Sequence, residues 1–185
     1  MNYLDLVLEN PESTVVAKYE RDNAVREEHY QSEAELERAF IQQLTSQAYE
    51  RLFIHTEQDL ILNLRHQLER LNSYIFSESE WKRFFNEVIA NKNSGIAEKS
   101  EIIQQNEIQL LTRDDGTTKN IRLVDKGHIH NNHLQVLNQY EVNETPRQNR
   151  YDVTVLINGL PLVHIELKRR GVDIREAFNQ INRYQ

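Results

Sequence analysis

The chain has 185 residues, 38% of them hydrophobic and 28% charged, with no cysteine, five glycines and three prolines. That suffices for one domain with a core, and it excludes disulfide scaffolds, thiolate metal sites, cysteine nucleophiles and low-complexity glycine- or proline-rich chain. The net charge of −7 has the wrong sign for a simple nucleic-acid binder, but residues 146–185 run the other way, with seven basic groups against four acidic ones.

From the N-terminus, Met1-Asn-Tyr-Leu-Asp-Leu has no basic segment before an apolar run. No apolar stretch approaches the ~20 residues of a membrane helix. The chain therefore reads as soluble and cytoplasmic. Residues 1–31 are polar and mixed, an N-terminal extension with one short strand at Thr14-Val15-Val16-Ala17. Ser32 and Glu35 form a capping box, and Leu36, Phe40, Ile41 and Leu44 follow at helical spacing, so a helix is expected to end near Tyr49. A second helix is predicted over 57–72, with Leu60, Leu64, Leu68 and Leu71 on one face. A third, capped by Ser77 or Ser79, carries Trp81, Phe84, Phe85 and Val88 at core spacing and stops at Asn93-Ser94-Gly95. A short helix over 95–105 completes a helical N-terminal half.

The hydrophobic period then changes to two. Ile108 and Leu110, the turn Asp114-Asp115-Gly116, and Ile121, Leu123 and Val124 predict a hairpin. Leu134, Val136 and Tyr140 predict a further strand. Residues 151–168 carry the strongest strand signal, two apolar runs around Asn158-Gly159. A last helix begins at Asp173, with Glu176 completing a second capping box and Ala177, Phe178 and Ile181 as its apolar side. The chain stops at Gln185 inside that helix, which reads as a fragment of a longer polypeptide.

In the 151–168 hairpin, Asp152 interrupts one apolar strand, and Glu166 and Lys168 lie two residues apart on the next, hence on one face. Carboxylates in such strands need a partner or a metal. Two of them offer hard oxygens to Mg²⁺, which polarises a phosphoryl group and acidifies water, and a lysine can orient that water or offset charge growing on the phosphate. The pattern suits metal-dependent phosphodiester hydrolysis. Register sets a condition: Asp152 faces Glu166 only if the turn has three residues or one strand carries a bulge, which Pro161 favours. Asp152, Glu166 and Lys168 are then expected to converge on one face of a mixed sheet. Gln180 and Tyr184, at i and i+4, share a face of the last helix.

Asp152…Glu166-Leu167-Lys168 followed by Gln180-Ile-Asn-Arg-Tyr184 resembles the PD-(D/E)xK nuclease signature with its Q-x-x-x-Y helix. The run from Arg150 to Gly171, with Glu33-Ala-Glu-Leu-Glu37 in the first helix and Ser79-Glu-Trp-Lys-Arg-Phe-Phe in the third, is similar to the N-terminal nuclease domain of the motor subunit of type I restriction–modification enzymes. The resemblance covers most of the chain from about Ser32. It implies an α/β restriction-endonuclease-like core, a mixed central sheet flanked by helices, over residues 32–185. It also implies a Mg²⁺-dependent endonuclease cutting double-stranded DNA, fused in the full-length subunit to an ATP-driven motor and assembled with methylation and specificity subunits. By position, Asp152 and Glu166 would be metal ligands and Lys168 catalytic. Gln180 and Tyr184 would be auxiliary, and Glu37 the acidic residue of the first helix, with Glu33 and Glu35 competing. Arg170, Arg175 and Arg183 would face DNA. Tyr151 stands where the motif nominally has proline, and no G-x-x-x-x-G-K-[ST] phosphate loop occurs in these residues.

Two other readings remain: a silent DNA-binding or assembly module that keeps the fold, and an acidic interaction domain. His128, His130 and His133 lie in a polar, asparagine-rich stretch without cysteine or an obvious fourth ligand, which argues against zinc.

Overall fold

A computed structural model describes residues 4–10, 14–19, 32–54, 56–142, 149–168, 173, 175–176 and 178–179. They belong to two compact units, Met1–Tyr30 and Gln31–Gln185. In the first, β1 (Leu4–Asn10) and β2 (Thr14–Tyr19) pair antiparallel, with an irregularity between Leu6 and Leu8. β2 contains the expected short strand. Its partner was not expected, although Leu4, Leu6 and Leu8 alternate with period two.

In the second unit, α1 (Glu33–Ser46) starts at the expected capping box: Ser32 Oγ accepts from Glu35 N, and Glu35 Oε2 accepts from Ser32 N at 2.8 Å. A two-residue strand, β3 (Glu50–Arg51), follows. Thr56 caps α2 (Glu57–Asn72), which ends at Ser73 in the left-handed region. Ser77, not Ser79, caps α3 (Glu78–Phe84), because its side chain and Glu80 satisfy each other's backbone N–H groups. The helix widens into a π turn over Phe85–Ile89, with Phe85, Val88 and Ile89 all packed on the core. α4 (Ile96–Gln104) leads into the hairpin of β4 (Ile108–Thr112) and β5 (Thr118–Arg122).

The central sheet adds β6 (Leu134–Val142), β7 (Asn149–Ile157) and β8 (Leu160–Ile165) in the order β3-β6-β7-β8. β3 runs parallel to β6 and the other pairs are antiparallel, so the sheet is mixed. Ile41 of α1 packs with Val136 and Val153, flanked by Ile165 and Leu167. Gln135, which neighbours Val136 and so points to the opposite face, accepts from Asn63 Nδ2 of α2 at 3.0 Å. α1 and α2 thus cover opposite faces of the sheet. A second apolar cluster joins Leu64 and Leu68 of α2 to Phe76, Trp81, Phe84, Leu111, Ile121, Leu123 and Leu160. Each such side chain contributes about 1.5–3 kcal/mol on burial. Among the described residues, no helix is long and apolar enough to cross a membrane.

Candidate active site

The β7–β8 hairpin turns through Asn158 and Gly159, both at positive φ (51° and 81°), the geometry of a two-residue turn. Its surroundings hold it there. Asn158 is buried; its Nδ2 donates to Leu123 O at 3.0 Å and Asn132 Oδ1 at 2.8 Å, and its Oδ1 accepts from His133 N at 2.8 Å. Gly159 lies so close to α2 that a Cβ would stand 2.6 Å from Leu64 Cα. From this turn Ile157 pairs with Leu160 and Leu156 with Pro161; the register then shifts, and Val155, Thr154 and Val153 pair with Val163, His164 and Ile165. The extra residue is Leu162, directly after Pro161, which cannot donate to the ladder. Of the two routes compatible with the site, the chain takes the bulge. The ladder ends at Val153 and Ile165, and one further step of the same register would set Asp152 opposite Glu166.

At that end of the hairpin, Asp152 Oδ2 accepts from Leu167 N at 2.7 Å. The Glu166 side chain is only 2% exposed. Its Oε1 accepts from Lys168 Nζ at 2.7 Å, while Oε2 is buried with no hydrogen-bond partner among the described residues. Burial pushes the Glu166 carboxyl above its ordinary range, helped by the negative charges of Asp152 and Glu33 and opposed by the Lys168 bond. Burial by itself would lower Lys168, but the bond to Glu166 and the charges of Glu166, Glu33 and Asp152 outweigh it and hold the ammonium above its ordinary value. The three residues form one electrostatic unit.

The donor set has the chemistry for a hard cation. A buried carboxylate oxygen without a partner costs free energy that a cation would recover, and carboxylate oxygens are what Mg²⁺ selects. Among the described residues, no three His, Cys, Asp or Glu side chains gather into a group that could hold a metal ion.

The first-helix acids separate by position. Glu35 is held in the capping box. Glu37 is buried, with Oε1 accepting from Asn138 Nδ2 at 2.8 Å. Glu33 is the one whose charge acts on both Glu166 and Lys168. Arg175 is exposed, with its N–H on Asp173 Oδ1 at 2.9 Å; residues 175–176 and 178–179 are helical. Arg170, Gln180, Arg183 and Tyr184 lie outside the described residues, as do Ala177 and Ile181. His128 and His130 are exposed, and His133 Nε2 bonds Glu50 Oε2 at 2.7 Å. One polar pair on the hairpin escaped the sequence reading: Thr154 Oγ1 and His164 Nδ1 are 3.0 Å apart. Its signal was present, since 152 and 154, like 164 and 166, share a face.

The family model described as type I restriction enzyme R protein N terminus matches residues 30–185. The chain is 44% identical to the type I restriction enzyme EcoprrI endonuclease subunit of Escherichia coli over 179 residues, which is 96% of this chain and 56% of that protein. It is 43% identical to the corresponding subunit of a type I restriction enzyme from Staphylococcus saprophyticus, and 40% identical to one from Staphylococcus aureus, each over 162 residues. Those matches cover 84% of this chain and 17% of either relative. The chain thus spans little more than half of the first relative and about a sixth of the others. With the match running through α1, the sheet and the Asp152–Glu166 hairpin alike, the chain belongs to the family of type I restriction enzyme R protein N-termini.

Proposed function

We propose that residues 32–185 are a Mg²⁺-dependent endonuclease domain with a PD-(D/E)xK core, preceded by an extension over 1–31. It cleaves double-stranded DNA as part of a cytoplasmic, ATP-dependent type I motor subunit assembled with methylation and specificity subunits. The observation that carries this reading is the buried Glu166 carboxylate, one oxygen on Lys168 and the other unpartnered among the described residues, set by register beside Asp152. The relatives' designation as endonuclease subunits supports it.

In this reading Asp152 and Glu166 hold Mg²⁺. When bound, the ion supplies Lewis-acid polarisation of the phosphate and acidifies the attacking water. The Leu167 N–H fixes the Asp152 carboxylate by taking Oδ2. Lys168 opposes the effect of burial on Glu166 through its bond to Oε1. Its ammonium also donates to the phosphate as charge grows there. Hydrolysis forms a bond from the water oxygen to phosphorus and breaks the bond to one sugar oxygen, which takes up a proton.

The test uses the complete subunit assembled with its partners. Asp152→Ala, Glu166→Ala and Lys168→Ala should each lower strand cleavage about 100-fold or more, with ATP hydrolysis unchanged. Cleavage at the normal rate by Asp152→Ala would refute the site. DNA binding and assembly without cleavage by the unsubstituted enzyme would establish the silent module instead.

A further inference from the structure

The chain has one Asn-Gly pair, Asn158-Gly159, and it forms the β7–β8 turn. An asparagine followed by glycine is open to an internal reaction, because glycine has no side chain to keep its nitrogen away from the preceding amide. The Gly159 nitrogen gives its proton to solvent and bonds to Asn158 Cγ; the Cγ–Nδ2 bond breaks, and Nδ2 leaves as ammonia. Water then opens the cyclic imide at either carbonyl. The products are aspartate and an isoaspartate whose main chain runs through Cβ and Cγ.

The folded turn opposes each step. Nδ2, the leaving group, donates to Leu123 O at 3.0 Å and Asn132 Oδ1 at 2.8 Å, and Oδ1 accepts from His133 N at 2.8 Å. Both polar atoms on Cγ are thus held away from the Gly159 nitrogen. Asn158 is 1% exposed, which keeps out the water that opens the ring. The products do not fit either. A carboxylate has no hydrogen to offer Leu123 O. Asn132 cannot turn a donor toward it, since Asn132 Oδ1 accepts from Asp125 N while its Nδ2 donates to Asp125 O and Ile129 O. The longer isoaspartyl main chain meets α2, where even a Cβ on Gly159 would stand 2.6 Å from Leu64 Cα.

We propose that Asn158 is a deamidation site shielded by the fold. It reacts when the turn opens, and the product cannot close the turn again, so a prolonged unfolding becomes irreversible at the hairpin that carries Asp152.

The test uses the 185-residue chain and peptide mass spectrometry, and its readout is independent of the nuclease reading. Native protein and protein unfolded in urea are held in mildly alkaline buffer while conversion at Asn158 is followed. Asn93, exposed before α4 and followed by Ser94, is the internal reference. With three side-chain hydrogen bonds to open first, Asn158 should convert about 100-fold more slowly in native protein than in urea. Asn93 should convert at similar rates in both. After the urea hold, the fraction that fails to refold should match the fraction converted at Asn158. Asn158→Asp, made directly, should melt lower or fail to fold. Equal conversion rates at Asn158 in native and unfolded protein would overturn the proposal. So would full refolding of the converted chains, or an Asn158→Asp variant that melts with the unsubstituted protein.

Discussion

Replacing Gly159 by alanine should destabilise the protein far more than the same change at Gly116, although the two glycines have almost the same backbone conformation. Their φ angles are +81° and +82°. An alanine in the left-handed region costs about 1–2 kcal/mol, and at Gly116, where a Cβ would meet nothing within 4 Å, that is the whole penalty. At Gly159 the Cβ would stand 2.6 Å from Leu64 Cα and 3.0 Å from Leu64 N, atoms in the middle of α2 that cannot move without the helix. Overpacking of that kind adds about 1–3 kcal/mol, for a total of about 2–5 kcal/mol. At roughly 2–4 °C per kcal/mol for a protein of this size, Gly116→Ala should lower Tm by roughly 2–8 °C and Gly159→Ala by roughly 4–20 °C. Subtracting one from the other isolates the close approach of α2 to the hairpin. Scanning calorimetry or circular dichroism melting of both variants gives the comparison. Equal losses would show that the turn does not press on α2.

Asp125 accepts from Asn131 Nδ2 and the N–H groups of Gly127 and His128, and pairs with Arg122, which holds its carboxyl down at about 2. A depressed folded value contributes stability above the ordinary value of 3.8, lost as pH falls through about 2. Asp125→Asn should therefore flatten the acid limb of the stability curve between pH 4 and about 2, as acid unfolding would show. Mg²⁺ should raise the melting temperature of the unsubstituted protein by ligand linkage, about 2.7 kcal/mol at a hundredfold excess over Kd. Asp152→Ala and Glu166→Gln should abolish that rise, and a persistent rise in both would place the ion elsewhere.

What the sequence by itself determined is local. The Ser32–Glu35 box, the leucine face of α2 and the Asn158-Gly159 turn each depend on residues within about one helical turn or one hairpin, so their chemistry is readable from neighbours. The acid, acid and lysine were legible too, because ionisable residues inside apolar strands demand an explanation. What only the tertiary structure decided depends on contacts far along the chain. β3 is two residues long and exists because β6, 85 positions away, pairs with it. Whether the hairpin used a longer loop or a bulge was undetermined until Leu123, His133, Asn132 and Leu64 closed around the turn. The three glutamates of α1 have the same chemistry and nearly the same sequence position. The capping box claims Glu35 and Asn138 on β6 claims Glu37, while Glu33 at the helix start acts on Glu166, because electrostatic effect follows distance in space and not order in the chain.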